Sequence, residues 1–232
     1  MSFSGTGAAF GGIDRLLCAE CCGAVPWIAE IMCPVCGRYE ECPDCKRRQE
    51  GERIVNRSAV RYDALMKEWL ARYKYRGDER LEPLFSHMIG YAFGLLADEL
   101  ARTGTGERPT VVSYVPLSER RLGERGFNQA ERMAVRLSRE KRLPLVSLLE
   151  RTRHTEKQSY KSRRERLESL DRAFAVHSGG LRRMRDMSAG GSVNIVIVDD
   201  VYTTGSTLNR CANEIKSALG GGVVVYGLTW AR

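Results

Sequence analysis

The 232-residue chain has no apolar run approaching the ~20 residues that a membrane-spanning helix needs. Its first residues, MSFSGTGAAFGGIDR, lack a basic region followed by a long apolar core. Membrane insertion and a secretory signal are therefore not expected, and the cytoplasm is the default location. Histidine is scarce: His87, His154 and His177 stand far apart and have no ligand spacing. HExxH, a nucleophile elbow, a Gly-Lys-Ser/Thr P-loop ending and GxGxxG are all missing. Zinc-protease chemistry, hydrolysis through Ser or Cys, and two common nucleotide-binding loops lose their support with them. Cysteine is nearly absent from residues 46–232, where only Cys211 occurs, although seven lie between Cys18 and Cys45. Disulfides that brace a secreted chain are spread along it. Crowding of this kind points to a local metal site in a reducing compartment.

What is present fits a globular protein: 43% of residues are apolar and 28% charged, which excludes a disordered chain. Lys and Arg number 37 against 29 Asp and Glu, a formal charge of +8. That charge is uneven. Residues 1–45 carry 2 basic and 6 acidic side chains, residues 119–142 carry 8 and 4, and residues 150–166 carry 7 and 3. A positive field concentrated in the middle attracts a polyanion or a highly phosphorylated small ligand.

The cysteines read Cys18-x2-Cys21, Cys33-x2-Cys36 and Cys42-x2-Cys45, with Cys22 beside them. A CxxC knuckle places two thiolates on one ion, and two knuckles make the four-sulfur tetrahedral site that zinc accepts. Six paired cysteines exceed one site and fall short of two, so one structural zinc is expected. The preferred ligand set is Cys18, Cys21, Cys33 and Cys36, with Cys42 and Cys45 able to replace one pair. The ion would order a module too small to build its own core. The chain thus divides into a tail (1–17), a cysteine module (18–45) and a main domain (46–232).

In the main domain, apolar periodicity predicts a short strand within Ile54–Tyr62 and helices over Asp63–Tyr75 and Leu81–Leu100. Thr110–Val115 reads as a strand stopped by Pro116, Arg120–Gly126 as a polar loop, and Asn128–Arg139 as a helix. A helix at Arg163–Leu170 and a short strand at Phe174–Val176 follow. Val193–Val198 is a continuous apolar strand with Asp199 and Asp200 directly after it. Thr207–Leu219 is a helix and Val223–Leu228 the last strand. Strand, loop, helix and strand make a βαβ unit, hence an α/β fold with a parallel sheet flanked by helices and sites at the strands' carboxyl ends. Thr203, Thr204, Gly205, Ser206 and Thr207 supply hydroxyls, a permissive glycine and free backbone N–H groups at a helix start, which can wrap a phosphate. Asp199 and Asp200 suit sugar hydroxyls or a magnesium shell beside it. The same hydroxyls would also serve as simple helix caps.

The segment IVIVDDVYTTGST at 195–207 resembles the signature of type I phosphoribosyltransferases. The likeness extends in order through the knuckles ending CPVCG and CPDC, YKYRGD at 73–78, VPLSERRLGERGFNQA at 115–130, LLERTRHTEKQ at 148–158, RLESLDRAF at 166–174 and LTWAR at the carboxyl end. Together these resemble the ComF family of competence-associated phosphoribosyltransferase-like proteins. The resemblance implies a type I phosphoribosyltransferase fold with an N-terminal zinc module. It implies that Asp199 and Asp200 contact the ribose hydroxyls of phosphoribosyl pyrophosphate, that the Thr203–Thr207 loop holds the 5′-phosphate, and that magnesium bridges pyrophosphate and ribose. Pro116 and Leu117 follow a strand where such enzymes bind pyrophosphate through backbone groups, with Arg120, Arg121 and Arg125 neutralising its charge. Lys74 and Arg76, beside Gly77, point either at the phosphate pocket or to the surface.

Arg125 to Gln129 forms either a hood over the ligand or a surface on which a base stacks, with Phe127 alternatively a core anchor. Arg151, Arg153, Lys157, Arg163, Arg164 and Arg166 extend the basic surface. The family resemblance further implies a role in natural transformation, with single-stranded DNA, a phosphorylated sugar substrate, and a DNA-uptake helicase or DNA-processing protein as partners. A phosphoribosyltransferase and a non-enzymatic DNA-binding factor that retains the fold both stay open, as do the acceptor substrate and the oligomeric state.

Overall fold

The structure, a computed structural model, describes residues 12–47, 53–75, 78–152, 173–188 and 191–232. The expected helix at 163–170 lies outside the described residues, as do Arg76, Gly77, Arg153, His154, Lys157, Arg163, Arg164 and Arg166.

Four parallel strands form the central sheet in the order β1 (Asn56–Val60), β6 (Val223–Ala231), β5 (Val193–Val201), β2 (Thr110–Tyr114). Strand β5 pairs with β6 from Val193↔Val223 to Val201↔Ala231 and with β2 from Thr110↔Asn194 to Tyr114↔Val198. Its side chains alternate between two cores, as the pleat requires. Val196 and Val198 pack with helices α3 (Ala64–Tyr75), α4 (Glu82–Arg102) and α6 (Gln129–Lys141). Val193, Ile195 and Ile197 pack with helix α8 (Ser206–Leu219) and the antiparallel pair β3 (Leu149–Arg151) and β4 (Phe174–Val176). A strand buried on both faces is apolar where it meets the two cores, which is why Ile195–Val198 reads as an unbroken run; the buried Asn194 before it donates to the Thr105 carbonyl at 2.8 Å. No helix among the described residues is long and apolar enough to cross a membrane.

An aromatic series ties the first core together. Phe127 meets Tyr73 at 5.1 Å between centroids, Tyr73 stacks on Phe85 at 4.9 Å, and Phe85 meets Trp230 at 4.4 Å. Loop, α3, α4 and β6 are thereby joined through side chains of large apolar area. Ile13 is also buried in this core, so the tail before the cysteine module contributes to it.

Two expectations are corrected. Residues 120–126 are not a loop but helix α5 (Glu119–Arg125), with Ser118 accepting from the Arg121 N–H at 3.4 Å and Gly126 ending it. Its exposure hides it: a short helix whose one large apolar residue, Leu122, is exposed shows no apolar periodicity, and its Ser and Gly boundary signals were the only trace. Secondly, β5 runs through Asp199 and Asp200 to Val201 rather than stopping at Val198. Strand β3 and helix α7 (Ser178–Ser188) were not foreseen; the helix has two glycines in its first turn and few apolar residues.

The cysteine module carries helices α1 (Ala19–Ala24) and α2 (Pro43–Arg47) and leans on strand β1. Gly37 turns the Cys33–Cys36 knuckle at φ 72°, and a side chain there would meet the Asn56 carbonyl at 2.6 Å. Arg57, 2% exposed, fastens the two parts: Nη1 donates to the Pro34 carbonyl at 2.9 Å and the Asn56 carbonyl at 2.8 Å, and Nη2 pairs with Glu99 at 2.9 Å. Removing one partner of such a buried pair leaves charge and carbonyls uncompensated. Arg57→Met should cost about 3–5 kcal/mol in urea unfolding, and adding Glu99→Leu should restore part of it.

Candidate functional site

The site follows from the direction of the connections. From β5 the chain turns into α8, which covers one face of the sheet; from β2 it turns through α5 into α6, which covers the other. Between adjacent strands whose connections diverge, a crevice opens at the carboxyl ends. Its walls are Asp199–Thr207 on one side and Val115–Leu117 on the other, held in register by the Val115 N–H donating to the Val198 carbonyl at 3.0 Å.

Because β5 continues through both acids, their side chains leave on opposite faces. Asp200 forms an ion pair with Lys74 of α3, both largely buried. Lys74 thus comes into the crevice. Asp199 accepts from the Asp200 N–H at 2.8 Å and lies near Arg151 at the end of β3. Burial and the neighbouring Asp200 carboxylate push the Asp199 carboxyl up to about 7; the Asp200 N–H, Lys74 and Arg151 pull it the other way. Arg151 is itself pushed down by burial and by Arg121, which brings Arg121 to the same side. Arg151 was counted only as part of a basic surface. No signal along the sequence singles it out; its place at the end of β3, next to Phe174 on the paired strand, is decided by the tertiary structure.

The Thr203–Thr207 loop has a rigid floor. Gly205 sits at φ 77°, and a side chain there would meet the Tyr202 hydroxyl at 2.2 Å, so glycine is required by both backbone and space. Gly205 is also the N-cap of α8, so the helix has no N-cap side chain, and of its first-turn N–H groups that of Ser206 donates to the Thr204 hydroxyl at 3.4 Å. Thr203, Thr204, Ser206 and Thr207 are exposed, and Thr204 and Ser206 share a hydroxyl hydrogen bond at 2.7 Å. An uncapped helix start beside exposed hydroxyls is an anion-binding arrangement.

Opposite the loop, Pro116 is buried and Leu117 half-buried. Arg125 donates to Gln129 at 3.0 Å and to the Tyr75 hydroxyl at 3.3 Å, with its guanidinium 5.2 Å from the centre of that exposed ring. Tyr62, pushed up by burial and by the nearby Asp200 and Tyr75, completes the rim. Three expected ligand contacts serve the fold instead. Phe127 is buried among Tyr73 and its neighbours, with the Arg132 guanidinium 4.1 Å from its ring centre. Asn128 caps α6 and donates to the Val115 carbonyl at 3.0 Å. Gln129 is buried and braces Arg125. Arg120 faces solvent in a pair with Glu124 at 2.8 Å. Cys211 is buried within α8, where burial pushes its thiol up.

The cysteines resolve differently from the preferred set. The thiols of Cys33, Cys36, Cys42 and Cys45 all lie within 4.8 Å of one another. A tetrahedral zinc with bonds of about 2.3 Å spaces its sulfurs by about 3.8 Å, so this set fits the ion. Cys18 and Cys21 are not in the cluster. Their knuckle begins α1, where the Cys21 N–H donates to Cys18 Sγ at 3.5 Å. Cys21 packs against the core on the α4 face, whereas Cys33, Cys36 and Cys42 belong to the core on the α8 face. The sheet edge separates the two knuckles that chain order had paired.

Known proteins can now be set beside this geometry. The chain is 34% identical over 213 residues to competence protein ComFC of Bacillus subtilis (strain 168), covering 87% of this chain and 79% of that protein. It is 32% identical over 209 residues to competence protein ComFC of Streptococcus pneumoniae (strain ATCC BAA-255 / R6), covering 88% and 83%. Competence protein F of Haemophilus influenzae is 28% identical over 165 residues, covering 70% and 66%. No protein-family model matches the chain.

Two outcomes follow. Elemental analysis should find about one zinc per chain, lost in Cys36→Ser and Cys42→Ser but retained in Cys18→Ser and Cys21→Ser. The raised Asp199 carboxyl holds a proton in the folded state that the unfolded chain gives up near 3.8, so its stabilisation is present at low pH and lost as pH rises to about 7. Asp199→Asn should therefore raise the melting temperature at pH 8 by about 5 °C and change it less at pH 5, as thermal melts at both values will read.

Proposed function

Because this chain belongs to the ComF family of competence proteins, we propose that it acts in the cytoplasm in the uptake or processing of single-stranded DNA, and that its crevice binds phosphoribosyl pyrophosphate with magnesium. The observation that carries the second part is the juxtaposition of two acids at the end of β5 with an uncapped helix start whose glycine rests on Tyr202. The Thr203–Thr207 N–H groups and hydroxyls would hold the 5′-phosphate. Asp199 and Asp200 would take the ribose hydroxyls and the magnesium shell, with Lys74 setting the charge at Asp200. Pro116 and Leu117 offer backbone groups to pyrophosphate, and Arg121 and Arg125 supply cationic donors for it. When bound, magnesium would supply charge neutralisation for the pyrophosphate.

A glycosyl transfer here is positional and electrostatic. The carboxylates orient the sugar, and the arginines stabilise charge that accumulates on the departing pyrophosphate as C1 gains oxocarbenium character. Asp199 must ionise before it can serve, which links ligand binding to proton release. A second reading, a non-enzymatic single-stranded DNA factor that retains the fold, is favoured by one feature. Asp200 is already paired with Lys74 and Asp199 holds its proton near neutrality, so the acids are self-satisfied without a ligand. In that reading exposed Tyr75 and half-buried Arg125 present a stacking ring and a cation to DNA.

Titration calorimetry of the zinc-loaded protein separates the two. Saturable binding of phosphoribosyl pyrophosphate with magnesium is expected, weakened about 10-fold or more by Asp200→Asn. Oligothymidylate affinity should fall roughly 50-fold for a fourfold rise in salt if four phosphates are contacted, and Asp200→Asn should leave it unchanged. Absence of the first with retention of the second would select the non-enzymatic reading.

A further inference from the structure

The four-cysteine site and the loop at the start of α8 share a wall. Cys45, Arg53, Tyr202, Thr203, Thr204 and Arg232 line one small cleft between them. Arg232 Nη2 donates to Cys42 Sγ at 3.5 Å, and the same guanidinium lies 4.5 Å from the centre of the Tyr202 ring. Its Nε and Nη1 are buried and have no hydrogen-bond partner among the described residues. The cation is therefore held by a sulfur on one side and a π face on the other. Tyr202 is 5% exposed, and its N–H donates to the Ala231 carbonyl at 2.9 Å, so its backbone is fixed to β6. Its hydroxyl fills the space beneath Gly205. The contacts run without a gap from Cys42 Sγ through Arg232 and Tyr202 to the glycine on which the loop turns.

We infer that Arg232 is a positioning residue that couples occupancy of the four-cysteine metal site to the conformation of the Thr203–Thr207 loop. Four thiolates around a divalent cation carry a net charge of about −2, and an N–H donor to one of the sulfurs compensates part of it. With the sulfurs held together by the ion, the guanidinium has a fixed acceptor and stays over the Tyr202 ring. Without the ion the sulfurs are no longer drawn to one centre, and the half-buried guanidinium loses the fixed acceptor for its Nη2. Tyr202 then loses its cation partner, and the ring that supports Gly205 is held less firmly. The metal is structural in position, but its presence is read at the ligand loop. Linkage makes the effect reciprocal, so a filled loop should in turn slow loss of the metal.

This inference rests on the proposed function only for what the loop holds, so it is tested without a ligand. Hydrogen exchange at the 203–207 amides is followed in the zinc-loaded chain and after chelation, with Leu96 and Ile197 amides as reference. Chelation should speed exchange in the loop about 10-fold and leave the reference unchanged. Zinc-loaded Arg232→Gln should already show the faster loop exchange, with little further change on chelation, and should release zinc to a chromophoric chelator about 10-fold faster than the native chain. Tyr202→Leu should loosen the loop while keeping about one zinc per chain. If chelation also exposes the reference amides, the chain unfolds as a whole and the zinc-loaded Arg232→Gln arm decides. Native loop exchange in zinc-loaded Arg232→Gln overturns the inference. Failure of phosphoribosyl pyrophosphate to bind overturns only the ligand assignment.

Discussion

Strand β5 is hydrogen-bonded along both edges and covered on both faces, and the candidate site depends on that enclosure. A fully enclosed strand has almost no freedom to shift, because moving it by one residue would turn its apolar set toward the wrong core. The backbone at its carboxyl end is thereby fixed, and with it the directions of Asp199 and Asp200. The divergence of the two connections, one to each face, then opens the crevice beside them. Lys74 and Arg151 reach the acids from opposite faces of the sheet, which only an alternating strand could arrange.

A second constraint is the lack of a core in the cysteine module. The module cannot bury enough apolar surface alone, so it uses the main domain's. Cys33, Cys36 and Cys42 count among the buried residues under the α8 face, and Pro34 and Val35 bond to β1. Two arginines, Arg57 buried and Arg232 half-buried, manage the seam. Arg57 joins the module's backbone to β1 and α4, and Arg232 joins its sulfur cluster to Tyr202. A cysteine module fastened in this way lines the cleft beside the Thr203–Thr207 loop rather than standing as an appendage.

Much of the fold was legible along the chain where burial imposes a period. The strands at 110–114, 193–198 and 223–228 and the helices α3, α4, α6 and α8 each present an apolar pattern that matches what they bury, whereas β1 buries Asn56, Arg57 and Ser58 and carries no such pattern. The loop after β5 was legible for another reason: a Thr-Gly-Ser-Thr run behind two acids has few structural uses. Elements whose stability comes from elsewhere left little trace. Helix α5 is exposed and polar, and α7 opens on two glycines. Phe127 illustrates the ambiguity of a single aromatic beside arginines: the same composition suits a stacking surface or a core anchor, and packing against Tyr73 chose the second.

The sequence by itself determined that there is an enclosed parallel strand ending in acids, a phosphate-type loop behind it, and a metal-type cysteine cluster near the start. These are local properties, set by side-chain period and by spacing along a few residues. Only the tertiary structure decided which cysteines meet, because Cys18–Cys21 and Cys42–Cys45 are equivalent as knuckles and differ only in the face of the sheet they reach. It also decided that Arg151 and Tyr202 belong to the site, and that Arg232, at the far end of the chain, stands between the sulfurs and the loop. Contacts between residues so distant in sequence arise from how the sheet's edges and faces are filled, a property no single segment carries.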